Sequence, residues 1–131
     1  METGLLKWGL LALGGSAGAV LRYAAAGWGQ RLSDGVFPLG TLIVNVSGCL
    51  LVGFLAAAFS GPQLVREEWR VAVLVGFLGG YTTFSTFGFE THALLLDAQW
   101  RDALVNVLAS NGLGLAAVWI GHRAALLWYG G

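Results

Sequence analysis

Residues 39–59 read LGTLIVNVSGCLLVGFLAAAF, a run without a single charged side chain that closes on the turn formers Ser60, Gly61 and Pro62. In helical rise, about 20 apolar residues cross the roughly 30 Å hydrocarbon core of a bilayer. This stretch therefore predicts a membrane-spanning helix, and the rest of the chain can be parsed outward from it.

Toward the N-terminus lies a second run, residues 5–28, with Lys7 and Arg22 placed to snorkel toward headgroups. Its start lacks the basic head of a secretory signal peptide and is read as mature helix. Toward the C-terminus lie residues 71–96 and 103–127, separated by a short polar link at 97–102. Trp8, Trp28, Trp69, Trp100, Trp119 and Trp128 fall mostly near the expected ends, where amphipathic rings favour the interface. The expectation is an all-α integral membrane protein: one domain over residues 1–131, made of four transmembrane helices.

Composition agrees with lipid as the solvent. Of 131 residues 56% are hydrophobic and 11% charged, and the mean hydropathy is +0.72, so polar surface is too scarce to wrap an apolar core in water. Seven basic residues balance seven acidic ones, which argues against nucleic acid as a partner. The single cysteine, Cys49, forms no intrachain disulfide and no metal cluster, and reads as a small packing residue. Twenty-one glycines, many inside the spans, require close backbone approach, with Gly14 and Gly18, Gly48 and Gly53, and Gly76 and Gly80 as small-residue steps.

Orientation is nearly undetermined by charge. With four spans, Lys7, Arg66, Arg70 and Arg123 share one side and Arg22, Arg31 and Arg101 the other, four against three. Basic loops normally stay cytoplasmic, so this balance implies insertion in both orientations. Four helices also make a poor wall for a pore. Both facts point to an antiparallel homodimer in membrane lipid.

The third span contains GFLGGYTTFSTF at residues 76–87. Adjacent glycines followed by clustered Thr and Ser weaken a helix, and a break at mid-membrane is tolerated only where it is buried in protein or lines a cavity. If helix resumes afterwards, Thr82, Thr86 and Glu90 fall at i, i+4 and i+8, a polar stripe flanked by Ser85 that could replace part of an ion's hydration shell. Glu90 is either a functional carboxylate within a span or a solvated vestibule residue. Phe84 and Phe87, at i and i+3, are either core or lipid contacts, or present electropositive ring edges to a small anion. On the second span Thr41, Asn45 and Gly48 share a face, and the Asn45 amide needs a partner, either a neighbouring helix or an ion. Asn106, Ser110 and Asn111 extend the polar inventory on the fourth span, and His122 near its end reads as solvated.

These residues resemble the dual-topology fluoride channels called Fluc or CrcB. The likeness is carried by GSAGAVLRY at 15–23, by residues 40–48 and above all by GGYTTFSTF at 79–87, and it covers essentially the whole chain. The resemblance implies passive, selective export of cytoplasmic fluoride through two pores per antiparallel homodimer in the inner (plasma) membrane of a microbial cell. It implies pore roles for Asn45, Phe84, Ser85, Thr86, Phe87 and Ser110, a vestibule role for Glu90, and a structural sodium ion on the dimer axis held by backbone carbonyls of Gly79 and Thr82. Asn106 stands where tyrosine is expected, and Tyr81 where phenylalanine is common. The competing reading is a small proton-coupled exporter of the multidrug type, which needs a central carboxylate; residues 5–28 contain none. No nucleophile with a base, nucleotide loop or metal-ligand cluster suggests an enzyme.

Overall fold

The computed structural model describes residues 2–33, 35–61 and 65–130; the turn expected at Pro62 lies outside them. All regular elements among these residues are helical: α1 (Glu2–Gln30), α2 (Leu39–Ser60), α3 (Glu67–Val71), a π-helical stretch (Ala72–Phe77), α4 (Leu78–Tyr81), α5 (Phe84–Leu96) and α6 (Trp100–Tyr129). They make four apolar segments long enough to cross a membrane, Gly4–Gln30, Leu39–Ser60, Glu67–Leu96 and Trp100–Tyr129. Each reaches to or past the apolar run that marks it in the sequence, because hydrophobicity reports the hydrocarbon crossing whereas hydrogen bonding carries a helix on into the headgroups.

Local chemistry sets the ends. Gln30, last in α1, donates through Nε2 to the carbonyls of Gly35 (3.2 Å) and Phe37 (3.0 Å), and its Oε1 accepts from Gly40 N at 3.2 Å. One side chain thus closes the α1–α2 connection and satisfies an otherwise orphaned amide in the first turn of α2. At the far end Gly130 adopts φ +73°, and its amide donates to Leu126 O, the left-handed cap that glycine supplies without strain. Lys7 pairs with Glu67, tying the start of α1 to the start of α3.

The interior is built from small residues and backbone. A Cβ on Gly53 would overlap the Val118 carbonyl, and one on Gly121 would overlap the Leu50 carbonyl, so α2 and α6 meet backbone to backbone as small residues allow in lipid. In the same way Gly14 and Gly18 let α1 lie against the carbonyls of Ala72 and Phe77 along the π-helical stretch. The buried set is correspondingly short in side chain, with Val44, Ala58, Ala72, Ala103, Ala117 and Ala125 prominent. Large apolar groups such as Leu5, Trp8, Phe89, Leu115 and Leu127 point outward and are exposed. In water so much apolar surface would drive aggregation; in a bilayer it is the surface that lipid solvates.

Candidate functional site

Between Tyr81 and Phe84 the helical path stops. Thr82 (φ −82°, ψ 158°) and Thr83 (φ −152°, ψ 116°) are extended, and every backbone group they free needs a partner if it is to sit away from water. The neighbouring span supplies one. Asn45 Oδ1 accepts from Thr83 N at 2.7 Å, and Asn45 Nδ2 donates to Thr83 O at 2.9 Å, so a single side-chain amide on α2 pairs with both backbone groups of Thr83 and replaces the helical bond its amide has lost. Thr83 then caps α5: its Oγ1 accepts from Thr86 N at 3.2 Å, lies 3.0 Å from Thr86 Oγ1 and reaches Ser85 Oγ at 3.3 Å.

The stripe expected from Thr82 through Thr86 to Glu90 is therefore not a single helical face. Thr82 precedes α5, and its hydroxyl donates back to Leu78 O at 2.9 Å; the polar step before Thr86 is Thr83, which lies outside the expected stripe. The signal was there, since a threonine three residues before Thr86 at a helix start is a capping pattern.

A cavity of about 330 Å³ opens beside the extended pair. Its walls bring together Asn45, Gly79, Thr82, Phe84, Phe87 and Ser110, six of the residues singled out in the sequence. The Phe84 and Phe87 rings stand 5.4 Å apart, tilted by 47°; Phe84 is 80% exposed while Phe87 is buried. Cys49 lies on the same wall. Thr86 and Glu90 line other recesses: Thr86 with Arg22, Tyr23 and Val44, Glu90 with Trp28, Arg31 and Thr41. Ser85 is exposed and touches Thr83. Glu90 Oε1 accepts from Thr41 Oγ1 at 2.8 Å, and Oε2 is buried without a protein partner.

Behind the cavity α6 is wired to α5. Asn106, 2% exposed, donates to Thr91 Oγ1 at 2.9 Å and accepts from Ser110 Oγ at 3.3 Å, while Thr91 Oγ1 donates to Phe87 O at 2.8 Å. Tyr81 OH meets Ser47 Oγ at 2.9 Å, and Ser47 in turn donates to Val44 O. Ser47 therefore accepts from the tyrosine, which anchors the end of α4 to α2 just before the extended pair.

The backbone oxygens near the interruption form a donor set of their own. In an uninterrupted helix the Gly79 carbonyl would accept from Thr83 N and the Thr82 carbonyl from Thr86 N; those amides are turned to Asn45 Oδ1 and Thr83 Oγ1 instead. Gly79 is exposed, and a Cβ there would meet nothing within 4 Å. Neutral oxygens without amide partners, at an open surface, fit a hard monovalent or divalent cation. Among the described residues no three His, Cys, Asp or Glu side chains gather to hold a metal.

A bundle of apolar spans with an open cavity, where hydroxyls and amides of Asn45, Thr82, Thr83 and Ser110 interrupt an apolar wall beside extended backbone, defines the class, a multi-pass membrane protein with polar groups gathered between its helices. The chain belongs to the family of CrcB-like proteins (camphor resistance, CrcB), whose model matches residues 9–122. It is 47% identical over 119 residues to fluoride-specific ion channel FluC 2 of Symbiobacterium thermophilum, covering 90% of this chain and 96% of that one. To the fluoride-specific ion channel FluC of Solibacter usitatus it is 44% identical over 123 residues, covering 92% and 98%, and to that of Paramagnetospirillum magneticum 42% over 125 residues, covering 94% and 98%.

Proposed function

We propose that this chain is the subunit of a fluoride channel that lets the anion leave the cell passively. What carries the reading is that relatives matching nine-tenths of the chain are named fluoride-specific ion channels. The physical need is plain. Hydrogen fluoride crosses lipid uncharged and dissociates inside, the anion cannot return through hydrocarbon, and an inside-negative potential drives it outward by about 2.3 kcal/mol per charge per 100 mV. No coupling site is required. The proton-coupled exporter is not favoured, since the first span offers no acid.

In this reading the third span is broken at mid-membrane, and the cavity beside Thr82 and Thr83 is half of a pathway that a second, antiparallel copy completes, giving two pores per dimer. Ring edges of Phe84 and Phe87 face the anion, and Asn45, Ser85, Thr86 and Ser110 supply donors in place of water. Glu90 faces a vestibule. Carbonyls of Gly79 and Thr82 from both subunits hold a structural sodium ion at the axis, which offsets their unpaired dipoles. The single four-helix domain sits in the inner (plasma) membrane, in contact with lipid throughout.

The test is fluoride efflux from liposomes containing only this purified chain. Rapid efflux under an imposed potential, without a proton gradient, is expected. Efflux that occurs only with a proton gradient would install the exporter instead, and no efflux would remove the channel.

A further inference from the structure

The hydrogen bonds behind the cavity all run in one direction. Ser110 donates to Asn106 Oδ1, Asn106 Nδ2 donates to Thr91 Oγ1, and Thr91 donates to Phe87 O. Ser110 and Phe87 line the cavity, whereas Asn106 and Thr91 do not. A serine hydroxyl owns one hydrogen. With that hydrogen turned to Asn106, Ser110 shows the cavity only lone pairs, which repel an anion. Yet the Ser110–Asn106 separation of 3.3 Å is long beside the usual 2.7–2.8 Å of an O–H···O bond, so the hydrogen is weakly held.

We propose that Asn106 is a positioning residue, which parks the Ser110 hydrogen away from the cavity and yields it when an anion arrives. Resting on the channel reading above, this gives Ser110 two states, acceptor when the path is empty and donor when it is filled. Asn106 is nearly fully buried, so its own orientation is fixed by Thr91 and only the hydroxyl rotates. Without Asn106, Ser110 bonds back to the carbonyl one turn earlier, as helix serines do. That bond holds the hydrogen along the helix axis and removes the donor from the path.

A double-mutant cycle in liposomes tests this, reading fluoride flux and the fluoride-to-chloride flux ratio beside the amount of assembled protein. Asn106→Leu is expected to lower fluoride flux about tenfold and to narrow the ratio in the native background, and to do nothing further in a Ser110→Ala background. Where Asn106→Leu does not assemble, Thr91→Val takes its place, because it releases the amide that orients Asn106 while Asn106 and Ser110 themselves both remain. The same dependence on Ser110 is expected. Additive losses, or an unchanged ratio in the single variants, overturn the proposal and make Asn106 purely structural. Native flux in Ser110→Ala also overturns it. A wild-type chain that conducts no fluoride fails the channel reading itself, a result distinct from each of these.

Discussion

Phe84 and Phe87 share one face of α5 and differ in surroundings. Phe84 projects into the open and Phe87 packs inside, their rings in tilted contact. As core residues alone they have separable consequences: replacing Phe84 by isoleucine changes protomer stability by at most about 0.5 kcal/mol, and Phe87→Ile costs about 1.5 kcal/mol. If the ring edges serve the anion, both swaps lower fluoride flux about tenfold, equivalent to about 1.4 kcal/mol at the barrier, despite their unequal stability costs. Flux and dimer content measured together separate the two; normal flux through well-assembled dimers of both variants ends the aromatic role. The types of these residues were legible from the sequence, but their partners were not. Asn45 stands out because an amide at mid-span needs a partner, yet nothing in the spacing says that the partner is the backbone of Thr83, 38 residues away. Thr83 does its work by local capping, which leaves no mark in the spacing that would set it apart as an ion ligand.

At the scale of elements, the four spans were readable because apolar length has one meaning in lipid, and the weakness near Gly79 and Gly80 was readable because clustered glycine and threonine disfavour helix. The exact residues that leave the helix were not. That choice belongs to α2, where Gly48 leaves room for the Thr82 methyl and Asn45 binds the next residue. A Cβ on Gly48 would fall on Thr82 Cγ2, so Gly48→Ala is expected to cost about 1–3 kcal/mol through overpacking. Thr82→Ser deletes that methyl and keeps the hydroxyl that bonds Leu78 O. Combined with Gly48→Ala it should recover most of the loss in thermal stability of detergent-solubilised protein. Equal destabilisation in the single and double variants would place the strain elsewhere. The register of α2 against the extended pair would then not rest on this contact.

For the whole molecule the question is what covers the open cavity of a bundle with so little buried side chain. The cavity wall exposes Phe84 and Gly79, and the outward faces are largely apolar, so lipid or a second copy must cover the cavity. Lipid would leave the carbonyls of Thr82 and Gly79, which lack helical amide partners, to be satisfied in hydrocarbon, an unfavourable arrangement for unpaired dipoles. In the proposed antiparallel dimer an inverted copy would set the two extended pairs across one axis, so that each subunit could close the other's cavity. The near-even distribution of Lys7, Arg66, Arg70 and Arg123 against Arg22, Arg31 and Arg101 permits that inversion, because basic loops are what normally fix orientation. A cysteine-bearing tag on the C-terminus is therefore expected to react with a membrane-impermeant thiol reagent in about half of the molecules in intact cells, as equal insertion requires. Adding two lysines to one side should drive labelling toward none or all, and abolish fluoride efflux when only one orientation is made. Efflux that persists in a population labelled from one side alone would mean that parallel subunits, or single ones, form the path.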